Sequence, residues 1–183
     1  MSFLNQKQLD ELEFKFLGKN VLISDKCSLY NTKNISIDDN ARIDDFCVLS
    51  AGDGGIEIGK YVHIACYSSL IGKGKITMKD YSGISSRVSV YSSSDNYDGE
   101  YMTNPCLPNT VTNTLHKDVM IGKHVVIGSN SVVLPGVILT DGCAIGAMSL
   151  VNKSVHNQDV MAGIPIKKFK QRKLNIFDLE NKL

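Results

Sequence analysis

"IGKHVVIGSNSVVLPGVILTDGCAIGAMSLVNKSVH", residues 121–156, carries aliphatic residues at Ile121, Ile127, Val133, Leu139, Ile145 and Val151, each six after the last. Neither a helix, which repeats at 3.6, nor a strand, which repeats at two, produces that interval. The same phase runs through Ile37 and Ile43, through Ile58, Ile64 and Leu70, and through Met78, Ile84 and Val90. Short shifts separate these blocks at "AGDGG" (51–55) and "GKGKIT" (72–77). Within a unit the fifth residue is small or β-branched, as at Ala41, Val62, Ser82, Val125 and Cys143, and the second is often Gly or Asp. Each hexad therefore reads as a very short strand and a turn, with its first and fifth residues pointing inward. Three hexads close a triangular coil, and coils stack about 4.8 Å apart. Hydrogen bonds then run between coils, so no coil is stable alone. Hexapeptide repeats of this kind build a parallel β-helix. An antiparallel domain, with strands every 8–12 residues, does not keep a constant spacing of six.

The chain has 183 residues, enough for a sizeable core. Its formal net charge of +1 sets up no field that would recruit nucleic acid or a charged membrane. No apolar run approaches the roughly 18 residues of a membrane helix. The N-terminal "MSFLNQKQLDELEFKFLG" has acidic residues and no long apolar core, so it does not read as a secretory signal, and the expected location is the cytoplasm. The five cysteines form no CxxC pair and read as small buried apolar residues, with no disulfide frame and no metal site.

The phase breaks between Tyr91 and Asp118, where "YSSSDNYDGEYMTNPCLPNTVTNTLHKD" is rich in turn formers. A long loop inside a compact domain is usually functional or disordered, and a stacked solenoid has no reason to eject one unless it serves a site or a subunit contact. Residues 1–18 are expected to form an N-terminal cap, helical over 5–17. Residues 19–166 form the solenoid with its loop at 91–118, and 167–183 form a helical tail that caps the open end.

These repeats, followed by "VMAGIPIKKFKQR" (160–172), resemble the hexapeptide-repeat acyltransferases, closest to the bacterial sugar O- and N-acetyltransferases of surface-polysaccharide synthesis. The resemblance implies an all-β, left-handed parallel β-helix. It also implies a homotrimer with active sites between subunits, acetyl-CoA as co-substrate, and a sugar or nucleotide-sugar acceptor. The sixth residues of the late hexads are apolar (Val126, Val132, Ile138, Ala144 and Leu150) and are expected to form an outward stripe, a subunit face or a ligand groove.

Acyl transfer from a thioester needs a base for the attacking group and donors for the oxyanion. Histidine is the natural base, and the chain offers His63, His116, His124 and His156. His63, the sixth residue of its hexad, should face outward in the column of Tyr81, and is the first candidate. His116, at the end of the ejected loop, is the second. His124 reads as a turn or packing residue, and His156 lies at the last coil. Asp95 and Glu100 could orient the base or bind sugar hydroxyls, or be solvated loop charges. By the resemblance, pantetheine would lie along the late coils at Gly128, Ser129, Gly146, Ala147 and Met148. Lys153, Lys167 and Lys168 would meet its phosphates, followed by Lys170 and Arg172. No Walker or Rossmann glycine pattern appears. Three other readings are a non-catalytic trimeric β-helix scaffold, an acetyltransferase with a non-sugar acceptor, and a gamma-type carbonic anhydrase, whose converging histidines are missing here.

Overall fold

A computed structural model describes residues 2–182. The chain winds as a triangular prism with three parallel sheets as its faces. Face one stacks Phe16–Leu17, Ile35–Ile37, Ile56–Ile58, Ile76–Met78, Val119–Ile121 and Ile138–Leu139. Face two stacks Leu22–Ile23, Arg42–Ile43, His63–Ile64, Gly83–Ile84, Val126–Ile127, Ala144–Ile145 and Asp159–Ala162, closed by the antiparallel Lys167–Gln171. Face three stacks Ser28–Tyr30, Val48–Ala51, Ser69–Gly72, Ser89–Tyr91, Val132–Val133 and Leu150–Val151. This is the parallel β-helix that the period of six predicts.

The hexads' first residues fill the interior. Ile23, Ile43, Ile64, Ile84 and Ile127 form one fully buried column, and Leu49, Leu70, Val90, Val133 and Val151 form another. Burial of each such side chain is worth about 1.5–3 kcal/mol.

Successive coils are not equally long. Ile43 pairs with Ile64, Ile64 with Ile84, and Ile127 with Ile145, steps of 21, 20 and 18 residues. The extra residues enter at one corner, between faces three and one. They are the 3-10 turn Thr32–Asn34, the glycine-rich 51–55 and 72–75, and the large excursion. The other two corners stay tight. Their turns place non-glycine residues in the left-handed region, including Tyr61, Tyr81 and His124 at one corner and Phe46, Tyr67 and Arg87 at the other. That conformation is costly for a residue with a Cβ. Ring stacking between coils offsets it: Phe46–Tyr67 at 4.9 Å, Tyr61–Tyr81 at 5.2 Å and Tyr81–His124 at 5.0 Å.

Several expectations need correction. The excursion is narrower than 91–118, because Ser93–Ser94 and Leu115–His116 pair antiparallel at its neck. The N-terminal helix covers only Gln6–Glu11, started by an Asn5/Gln8 capping box. After the turn at Pro165 the chain folds back, so Lys167–Gln171 is a strand and the last α-helix is Ile176–Leu179. Of the cysteines only Cys47 and Cys143 are buried, and Cys106 is exposed. The apolar sixth residues do not make one stripe. A step of six turns the chain to the next face, so Val126 and Ala144 lie on face two, Val132 and Leu150 on face three, and Ile138 on face one. No described helix is long and apolar enough to cross a membrane.

Candidate active site

On face two, the outward residues of successive coils are Leu22, Arg42, His63, Gly83, Val126 and Ala144. His63 therefore sits under Gly83, and not under Tyr81, which stacks on Tyr61 at the neighbouring corner. Asp44 follows the strand Arg42–Ile43 on the coil before, and its Oδ2 lies 2.8 Å from His63 Nε2. A carboxylate only accepts, so Nε2 carries the proton and Nδ1 keeps its lone pair. Arg42 Nε donates to the other oxygen, Oδ1, at 2.7 Å. Burial opposes the ionisation of Asp44. The hydrogen bonds and charges of Arg42 and His63 outweigh it and hold the carboxyl below the usual carboxylate range.

Beside His63 lies a cavity of about 380 Å³, lined also by Ala65, Gly83, Ser85, Ser86, Val126 and Ser129. Its rim is the corner between faces two and three. There the backbone N–H groups of Cys66, Ser86, Ser129 and Ala147 donate to no partner among the described residues. The opposite edge of face two differs. The N–H groups of Lys19, Lys60 and Lys123 donate to Asp39, Asp80 and Asp141, each from the following coil, at 2.7–2.8 Å. One corner is thus closed by carboxylates, and the other offers a row of amide donors that begins beside His63. Such donors can stabilise an oxyanion or pair with an extended amide ligand. A groove of about 500 Å³ on face one is lined by those same capping residues, Asp80 and Asp141, and carries no histidine.

The cofactor-binding candidates divide. Ala147 and Met148 project from the amide-lined corner, with Met148 62% exposed. Ser129 lines the cavity. Gly128 and Gly146 have a packing reason to be small: a Cβ on Gly128 would stand 2.4 Å from Ala147 N, and one on Gly146 would stand 3.0 Å from Ala162 Cβ. Ala162 pairs with Lys167, which brings Lys167 and Lys168 to the end of that corner. Lys168 Nζ is tied to Asp159 Oδ1 at 2.8 Å. Lys153 follows face three and belongs to the third corner, between faces three and one, away from face two. Arg172 is turned inward, donating through Nη1 to the carbonyls of His124, Gly142 and Cys143.

The loop candidates form a second group. His116 Nδ1 meets Ser93 Oγ at 2.7 Å. Asp95, Tyr97 and His116 line a cavity of about 480 Å³, and Glu100 is exposed outside it. This excursion leaves the corner between faces three and one, opposite face two, and no cavity or contact among the described residues joins Asp95, Glu100 or His116 to His63. His124 packs between Tyr81 and Phe177 with Nε2 3.0 Å from Glu180 Oε2, and so serves as a packing residue. His156 is exposed on the last coil. Asp44, Arg42 and Gly83 escaped the reading of the sequence, because the coils around His63 run 21 and 20 residues and not 18.

Residues 118–153 match the family model described as "Bacterial transferase hexapeptide (six repeats)". The whole chain is 54% identical to a dTDP-4-amino-4,6-dideoxy-D-glucose acyltransferase of Escherichia coli, over 99% of this chain and 94% of that one. It superposes with a TM-score of 0.92 on AntD, an N-acyltransferase from Bacillus cereus solved with dTDP and 3-hydroxybutyryl-CoA, at 43% identity over 99% of this chain and 95% of AntD. A serine-to-alanine variant of AntD, solved with dTDP-4-amino-4,6-dideoxyglucose and coenzyme A, gives a TM-score of 0.94 at 43% identity over 99% and 96% of the two chains. With this full-length likeness and the stacked hexads, the chain belongs to the hexapeptide-repeat sugar acyltransferases, enzymes that draw on acyl-CoA.

Proposed function

We propose that the protein transfers a short acyl group from acyl-CoA, acetyl-CoA first, to the amino group of a dTDP-linked 4-amino-4,6-dideoxyhexose. The product would enter surface-polysaccharide synthesis in the cytoplasm. The observation that carries this reading is the full-length relation to the dTDP-4-amino-4,6-dideoxy-D-glucose acyltransferase, and the geometry of face two supports it. Pantetheine lies along the corner of unpartnered amides, with the thioester beside His63 and the phosphates toward Lys167 and Lys168. Ser86 or Ser129 N–H meets the oxyanion. The neutral amine attacks the thioester carbonyl, the N–C bond forms and the C–S bond breaks. The proton lost by nitrogen passes through His63 Nδ1 to the departing thiolate, giving an amide and free CoA. Asp44 and Arg42 hold the imidazole in the required tautomer.

The chain works as a homotrimer in this reading, with the loop of one subunit closing over face two of the next. What supports the trimer is that the loop and His63 face opposite ways in one protomer. Asp95, Glu100 and His116 then meet the acceptor across the interface. The test is CoA release and product mass with acetyl-CoA and 3-hydroxybutyryl-CoA, offered dTDP-4-amino-4,6-dideoxyglucose or the 4-hydroxy sugar nucleotide. Acyl transfer confined to the amino sugar is the expected result. Turnover of the hydroxy sugar alone would replace N- with O-acylation, and turnover of neither would remove the reading.

A further inference from the structure

Gly83 is the one glycine of this chain whose identity the fold does not require. Of the 15 glycines, six have left-handed backbones: Gly55, Gly72, Gly99, Gly136, Gly142 and Gly163. In eight others a Cβ would stand 3.0 Å or closer to a neighbouring atom, usually the backbone of the next coil. Gly83 falls in neither group. It lies in the extended strand Gly83–Ile84, and a Cβ there would meet only His63 O, at an ordinary 3.5 Å. Glycine in a strand sacrifices chain entropy and leaves a gap in side-chain packing, and such a residue marks a place where a ligand or another backbone comes close.

The gap opens over a defined spot. Gly83 points outward from face two between His63 on one coil and Val126 on the next, and with Ala65, Ser85 and Ser129 it walls the cavity of about 380 Å³. The row of free amides reaches that cavity from the late coils, through Ala147 and then Ser129. A thioester arriving along that corner therefore presents its sulfur on the Ser129 side and its acyl carbons toward Gly83 and His63. We infer that Gly83 sets the size of the acyl group the enzyme accepts: the missing side chain is the space that acyl carbons beyond the carbonyl occupy. This inference rests on the acyl-CoA reading given above and deepens it.

The test compares wild type, Gly83→Ala and Gly83→Val in the intact assembly. Acetyl-, propionyl-, butyryl- and 3-hydroxybutyryl-CoA are the donors, with one amino-sugar nucleotide as acceptor. In Gly83→Ala, kcat/KM for the four-carbon donors relative to acetyl-CoA should fall about tenfold or more, and further in Gly83→Val, as a pocket that loses room for one or two carbons discriminates. Melting temperature should hold or rise, because the position tolerates a Cβ. An equal loss with every donor would overturn the inference and assign the gap to the acceptor. An unchanged donor profile would overturn it too, and dissociation of the variants would assign the glycine to a subunit contact. In each of those cases wild-type transfer leaves the parent reading intact. Wild type that acylates no acceptor removes both.

Discussion

Asp44 and His63 stand on adjacent coils, and their side chains meet at 2.8 Å, with Arg42 holding the far oxygen of the carboxylate at 2.7 Å. A 51% exposed imidazole side chain is thereby fixed by a 9% exposed carboxylate. Asp44→Asn leaves the shape and removes the charge. In steady-state assays kcat should fall about 10- to 100-fold, part of what a general base supplies, while KM for acyl-CoA stays near wild type. An equal fall in kcat for His63→Ala alone and for the double variant would show the two acting as one unit.

The same carboxylate makes stability depend on pH. Its folded pKa lies below its unfolded one, so its contribution is complete above the ordinary carboxylate range and is lost as pH falls through the depressed folded value. Thermal melts should therefore separate wild type from Asp44→Asn at pH 7. The gap should narrow as pH falls below the ordinary carboxylate range and close below the depressed folded value. A constant gap across that range would refute the linkage.

Ser82 faces the interior between Val62 and Val125, is 2% exposed, and its Oγ is the one buried side-chain polar atom without a hydrogen-bond partner among the described residues. A buried hydroxyl left unpaired costs about 1–3 kcal/mol. Ser82→Ala should raise the melting temperature by about 2–4 °C for each kcal/mol recovered. Differential scanning calorimetry decides the matter, and a lower melting temperature would contradict the reading.

Arg172 Nη1 donates at 2.7, 3.2 and 2.9 Å to three carbonyls of the late turns. Arg172→Ala leaves those acceptors unmet and should cost about 2–3 kcal/mol. Limited proteolysis after Gln171 should speed up in step. Lysine should not rescue, since its ammonium lacks the planar fork.

Lys167 extends the amide-lined corner of face two and is exposed with no ion pair among the described residues. Lys167→Glu should raise KM for acyl-CoA about tenfold at low salt and less at high salt, since solvent-exposed charge interactions are screened. A KM for acyl-CoA that does not move would place the phosphates elsewhere.

The fold was legible because burial alone sets its period: every inward Ile, Val or Leu of 121–151 occupies the place its spacing assigns. His63 was legible as an outward residue for the same reason. Asp44 was not, because the early coils run 20 or 21 residues and a column drawn at 18 leads to Tyr81. The apolar sixth residues misled because a period of six visits all three faces, and only the full coil returns to one. Lys167–Gln171 read as helical from composition, yet the backbone of Asp159–Ala162 offered an unpaired edge that a returning strand could satisfy. The free amides leave no trace in side-chain chemistry at all.

The strand order of face two also makes the prism a gauge. From His63 to Lys167–Gln171 there are five strand-to-strand steps, about 24 Å at the usual spacing. That length is quantised. Removing one coil would leave every remaining interface whole and shorten the distance by about 4.8 Å. A chain so trimmed would keep its shape and its histidine while grasping a long, double-ended molecule one notch out of register. Coil number, fixed by nothing chemical, thus becomes a dimension of substrate choice.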